Sequence, residues 1–507
     1  MKLMKKNEVH AGVILSYIQI FVTFIGTFLF TPILLSGLGQ QEYGLYQLIG
    51  SFVGYLAILD LGFSAAIIRY VAKYQAEDDK KGQENFLAMC LIIYGLLSIL
   101  IVAVGFVLYG NIEIIFKNSL STVEISKAKQ MFLMLIFSTA FTIIGNVFTG
   151  ALSGHERYVF QKYVGIAKSF LNLAFGALIV FLGAKSVELT GVNVFFNTMA
   201  FVVYAWYAIC KEKIRFKLYY FDKPLLKETF YFSFFVFLQG IMGQVYYKLG
   251  DFILGVMTNT SVVAIYAIAM QMNSMLLCFV GAIAGVLLPK AAKLVAEGAD
   301  GDRLTDFMIY SGRLILIVYA FITSGFMLLG KSFLQLWAGS TYTEAYHIVL
   351  IVAIASLASR IQTSGNDIAR AYNKHAFLTV LYFGVALLNV AVSIFLVKLW
   401  GITGAAIGTG FTLIVGNTII ANIYYHRVFK INVLRFFREC FKGILPAIML
   451  SVFVGITISK IIPGEGLLLF VGRGIIFVVV YALFMITIGI NKTERKLVYS
   501  LLRGVET

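Results

Sequence analysis

Eight ionisable side chains interrupt stretches that are otherwise apolar: Asp60, Lys168, Lys248, Asp251, Arg313, Arg360, Asp367 and Arg473. A charge at the centre of a bilayer costs at least ~2.5–3.5 kcal/mol, so each one needs a reason. Lys168 and Arg473 fall near predicted helix ends, where a long stem carries the charge out to water. Arg360 stands deeper, about twelve residues or ~18 Å from the nearer end of its helix. Ser364 and Asp367 follow at i+4 and i+7 on the same face, Arg370 lies a turn beyond, and Ser359, Gln362 and Asn366 widen the stripe. A stripe of this kind faces protein or water, as an inter-helix salt-bridge network or as the wall of an anion site. Lys248 and Asp251 sit three residues apart; they neutralise each other, or one of them meets a substrate or coupling ion. Asp60, in ILDLGFSAAIIRYVAKY (58–74), has no basic residue within a helical turn, so its partner must come from another helix or from water. Five cations against three acids point to an anionic ligand, and phosphate or diphosphate suits the bidentate fork of arginine. Arg360 is the expected contact, with Arg313 and Lys248 as helpers. Asp60, Asp251 and Asp367 are expected as gate or coupling acids.

The elements that must carry these residues follow from composition. Of 507 residues, 60% are hydrophobic and 13% charged, against roughly 45–50% and 25% in soluble domains. Apolar runs long enough to cross a bilayer recur along the whole chain, and the short alternating segments of a membrane barrel are absent. The expectation is an all-α polytopic protein with fourteen membrane helices: 11–35, 43–69, 86–108, 128–152, 163–184, 189–210, 228–256, 262–288, 306–330, 345–372, 376–398, 402–425, 443–462 and 468–490. The side that holds Met1 receives 29 of the 41 basic residues and the other side seven, which places both termini in the cytoplasm. The net charge of +16 is thereby explained by inward-facing loops, and nucleic acid is not an expected partner. The first segment lacks a small-residue cleavage site and reads as an anchor. The longest loops, 109–127, 211–227, 289–305 and 426–442, are too short to hold a catalytic domain, so no enzyme activity is expected.

A weak internal repeat organises the spans. TPILLSGLGQQEYGLYQL (31–48) lies without gaps on DFILGVMTNTSVVAIYAI (251–268), and Leu189-Thr190-Gly191 corresponds to Ile402-Thr403-Gly404. Two parallel six-helix copies, 1–215 and 216–430, are followed by two further helices and a tail, 431–507; such repeats are typical of transporters that rock two lobes about a central site. Several motifs carry no chemistry. Gly325–Ser332 matches a P-loop in letters, but no strand precedes it and it ends an apolar helix. Gly404/Gly408 and Gly281/Gly285 read as helix-packing surfaces. The five histidines never sit at i,i+4, and Cys90, Cys210, Cys278 and Cys440 show no metal or redox spacing.

LSGLGQQEYGLYQ (35–47), LDLGFSAAIIRYVAKY (59–74), GALSGHERYVF (150–160) and WGITGAAIGTG (400–410), in this order and spacing, resemble the polysaccharide-biosynthesis flippases, the Wzx-like branch of the multidrug/oligosaccharidyl-lipid/polysaccharide (MOP) exporter superfamily. The resemblance implies two six-helix lobes that open alternately to either face. It also implies an undecaprenyl-diphosphate-linked oligosaccharide as substrate, a bacterial inner-membrane location, and association with membrane lipid and other polysaccharide-assembly proteins. The span count is similar to that of lipid II flippases, in which the last two helices hold the polyprenyl tail. A sodium site in that group implies Asp251, Asn389, Ser393, Ala405 and Thr409 here, with Ser393 standing where the family pattern has an acid; sodium or a proton is the expected coupling ion, with no other cofactor. The alternatives are a multidrug exporter of the same superfamily, whose acidic cavity the intramembrane cations disfavour, and an oligosaccharide polymerase, which would want a large outer loop.

Overall fold

The structure, a computed structural model, describes residues 2–464, 466–492 and 494–495. Among the described residues every regular element is a helix. Thirteen helices or helix runs are long and apolar enough to cross a membrane, as expected of chains that must pair all backbone N–H and C=O groups within one segment. One of them, Ala376–Phe429, is 54 residues long. Trp400 (φ −129°) and Gly401 (φ 55°) leave helical geometry in its middle. Gly404 then packs on Leu396, Gly408 on Ser393 and Gly416 on Val385, the register of a chain folded back on itself. Each arm has about the ~20 residues that one crossing needs. WGITGAAIGTG is therefore a hairpin turn followed by the glycine seam that closes it.

By packing, the chain divides into two compact units, Met1–Ala267 and Ile268–Thr507, with the boundary inside the helix Thr260–Ala296. The lobes expected at 1–215 and 216–430 are defined by the sequence repeat and follow a different criterion. In the first unit, Lys2–Leu38 lies along Tyr158–Phe181, where Gly12 meets the Tyr158 side chain and Gly176 meets Phe30. Small residues let two membrane helices approach closely enough for dispersion to hold them. Gly39 (φ 80°) alone separates Lys2–Leu38 from Gln40–Leu56, a one-residue turn in a conformation that favours glycine. The helices Lys80–Ile115 and Thr122–Gly154 are joined by six residues, so most of the expected 109–127 loop is helical. In the second unit, Gly301–Trp337 runs through a core that includes Met308, Ile315, Leu316, Tyr319, Tyr425, Phe436 and Tyr481.

Two expected helices are broken. The 43–69 span stops at a tight turn, Ala57–Asp60, passes through Leu61 (φ 52°) and Gly62 (φ 73°), and restarts as Phe63–Ala76. The 345–372 span breaks at Gln362 (φ −97°, ψ 15°), between Ala345–Ile361 and Thr363–Ala371. Neither break contains proline. In both, polar side chains cluster at the break. The P-loop-like letters 325–332 lie inside a continuous helix and make no loop. Gly281 and Gly285 meet nothing within 4 Å, so this GxxxG does not pack a helix as the sequence suggested.

Candidate functional site

Arg360 sits in the last turn of Ala345–Ile361, two residues before the break. Gln362 bridges the gap: its Nε2 donates to the carbonyl of Asn417, and its Oε1 accepts from Asn422 Nδ2 at 2.8 Å. Asn417 lies in a widened turn of helix, Leu413–Ile420. The rest of the expected stripe is satisfied within the protein. Ser364 bonds to Ser311 (2.7 Å), Ser359 Oγ donates to the Ser356 carbonyl (2.8 Å), and Asn366 Oδ1 accepts from the hydroxyls of Tyr382 (3.1 Å) and Tyr425 (3.0 Å). Asp367 is buried with Arg370 at 4.0 Å. Arg360 is the exception. Its guanidinium meets no acceptor among the described residues, and its Nε is buried without a partner. A half-buried guanidinium with no protein acceptor among the described residues has donors that can bond oxygens from elsewhere.

Arg313 requires a correction. It was expected to assist Arg360 at an anion, but its donors are already taken. Nε and Nη2 grip the Glu494 carboxylate at 2.6 and 2.9 Å. Nη1 donates to the carbonyls of Glu439 (2.9 Å) and Lys442 (2.8 Å), and Nη2 to that of Gly489 (2.8 Å). The side chains of the pair are 5% and 3% exposed, leaving no face open to a ligand. Arg313 is a clasp. It ties the end of Val433–Phe441, the last membrane helix and the following segment to the core helix Gly301–Trp337. The sequence could not show this, because four of its five partners are backbone carbonyls and all five lie more than a hundred residues away.

Asp60 receives neutral partners rather than a cation. Its Oδ1 accepts from Tyr94 (2.9 Å), Asn146 (2.9 Å) and Ser64 (3.1 Å). Three donors from three helices hold one oxygen where the chain is locally unwound. Gly62, next to it, lies against the Ser233 carbonyl and Val236, so a side chain there would collide with the neighbouring helix. Lys248 lies 3.6 Å from Asp251; the lysine is 40% exposed and the acid 1%. Neither oxygen of Asp251 has a hydrogen-bond partner among the described residues. The hairpin does gather the rest of the expected sodium set. Asn389 and Ser393 are hydrogen-bonded at 2.8 Å on one arm, and Ala405 and Thr409 lie on the other, with Gly408 against Ser393. All four are buried and none is charged, while Asp251 belongs to the first unit. The two residues read as snorkelling cations are tethered: Lys168 donates to Asn197 Oδ1 (2.9 Å) and Arg473 to the carbonyls of Ile462 and Gly464.

The first unit also holds a polar latch that sequence reasoning missed. Glu42 pairs with Lys127 and accepts from Ser186 (2.5 Å). Glu124 closes a capping box with Ser121 and accepts from Thr260 Oγ1 (2.8 Å); Gln40 donates to the Ser261 carbonyl (3.3 Å). Gly44 lies directly against the Thr260 backbone. The Ser-x-x-Glu letters at 121–124 signal the cap, but nothing in them signals Thr260.

Many long apolar helices define a multi-pass membrane protein. The chain belongs to the polysaccharide biosynthesis protein family, whose pattern matches residues 9–295. Among curated proteins it is similar to a Shigella flexneri protein provisionally described as an O-antigen transporter, 21% identical over 401 residues, covering 76% of this chain and 91% of that one. Among solved structures it is similar to the lipid II flippase MurJ in an inward closed conformation (TM-score 0.73, 14% identity, 93% of this chain and 97% of that one). It is also similar to an inward-facing multidrug transporter of the MATE family, in the MOP superfamily (TM-score 0.66, 15% identity, 80% and 94%). At these identities the structures show a shared fold. The relatives are transporters and flippases, not enzymes.

Proposed function

We propose that the protein is a flippase that moves a lipid-linked oligosaccharide, carried on undecaprenyl diphosphate, from the cytoplasmic to the outer leaflet of the bacterial inner membrane by alternating access. Family membership and the relatives' described roles support the class of cargo. The observation that carries the mechanism is Arg360, whose donors the fold leaves unused. Arg360 grips the diphosphate, the part of the cargo common to every such glycan, with Lys248 as the remaining helper. In this reading both termini are cytoplasmic, the lobes 1–215 and 216–430 alternate, and the helices after 431 hold the polyprenyl tail. The Glu42 and Glu124 latch closes the outer end, while Asp60, Asp251 and Asp367 respond as the lobes move. Other polysaccharide-assembly proteins supply and consume the cargo. Sodium coupling runs through Asp251 and the hairpin residues; identical transport rates in sodium and choline buffers would remove that element.

The test is mass spectrometry of polyprenyl-diphosphate glycans in a strain lacking the gene, rescued with wild type or Arg360→Ala. Accumulation of one glycan-lipid that wild type clears and the variant does not is the expected result. No accumulation, with new sensitivity to cationic drugs, would replace the flippase reading by a drug exporter.

A further inference from the structure

Just before the helix Ile444–Ile461 the chain forms a nine-residue helix, Val433–Phe441. Phe436 and Cys440 of VLRFFRECF are fully buried against the core of the second unit, and Phe437 and Phe441 are half-buried and pack on the same core. Leu434 is left on the outer edge, 82% exposed. That edge continues beyond the turn at Gly443 into Leu445, Met449 and Phe453, all exposed and four residues apart, the lipid-facing side of a spanning helix. Arg438 is exposed one turn along from Leu434, and Lys442 is 72% exposed. Arg427 and Lys430 are exposed just before the helix. Arg435 points elsewhere, to Asp302 (3.5 Å) and Asp306 (2.5 Å). The acid beside the stripe is Glu439, 3.9 Å from Lys442.

We propose that Val433–Phe441 is an interfacial helix that docks anionic phospholipid: Leu434 enters the acyl boundary, and Arg438 and Lys442 take the headgroup phosphates. An apolar stripe flanked by cations is the chemistry of a helix lying in a charged membrane surface. Charge complementarity selects anionic over zwitterionic lipid, because the exposed cations beside the stripe, Arg427, Lys430, Arg438 and Lys442, outnumber its one acid, Glu439. The last carbonyls of this helix, those of Glu439, Cys440 and Lys442, are held by Arg313, so the lipid-bound helix is fastened to the core helix.

The experiment uses the full chain with Leu434→Trp, its emission corrected for the native tryptophans by the parent protein. It is reconstituted in vesicles of phosphatidylcholine with either brominated phosphatidylcholine or brominated phosphatidylglycerol. Quenching by both lipids, stronger with phosphatidylglycerol, is expected. Arg438→Gln and Lys442→Gln should each reduce that preference by about fivefold, as should salt to a graded extent. No quenching by either lipid would overturn the interfacial placement. Equal quenching by both, unchanged in the glutamine variants, would overturn headgroup recognition. Loss of the preference on adding undecaprenyl diphosphate would assign the cations to the cargo and overturn the phospholipid proposal. None of these readouts requires transport, so they stand apart from the test of the flippase reading.

Discussion

Arg313 and Arg360 are two arginines in one compact unit, both inside helices that cross the membrane, yet they have opposite surroundings. Arg313 is buried with every side of its guanidinium occupied by a carboxylate or a carbonyl. Arg360 is half-buried, and its guanidinium meets no acceptor among the described residues. Counting charges in a membrane segment treats the two alike. Counting unused donors separates a structural clasp from a group held ready for a ligand. Asp60 adds a third case: a carboxyl group held by neutral donors at a break in a helix.

The largest expected effect tests the clasp. Arg313→Met should cost about 3–5 kcal/mol of stability, because Glu494 is left buried and unpaired; denaturant or thermal unfolding of purified protein measures it. The double variant Arg313→Met with Glu494→Met should recover part of that loss, since no buried charge is then left alone. A double variant as unstable as the single would mean that the carbonyls, not the ion pair, hold the clasp together. Asp60→Asn should cost about 1–2 kcal/mol, the difference between hydrogen bonds to a charged and to a neutral acceptor. Arg360→Ala should have the smallest effect on stability, unchanged within about 0.5 kcal/mol or slightly improved, because no protein partner is lost. It should nevertheless abolish glycan-lipid transport. Arg360→Lys keeps the charge without the fork and should retain partial transport. If Arg360→Ala melts as early as Arg313→Met, the contrast between the two arginines is false.

Much of the helix inventory was readable because hydropathy and length suffice to mark a spanning segment. The two breaks were not. IGSFVGYLAILDLGFSAA contains no proline, and what opens the helix at Asp60 comes from Ser64, Tyr94 and Asn146, two of them on other helices. Gln362 is similar, drawing on Asn417 and Asn422 more than fifty residues away. Depth within its helix singles out Arg360 in the sequence, but its lack of a partner among the described residues was not readable. The same depth argument, applied to Arg313, named a helper that the structure has already used.

The sequence by itself determined that this is a helical, multi-pass membrane protein and that its ionisable residues within the spans are few. Both follow from transfer free energies that act residue by residue along one helix. Only the tertiary structure decided which of those charges are spent. Satisfaction of a donor or acceptor depends on groups brought together from distant parts of the chain, and hydropathy along a single helix contains no information about them.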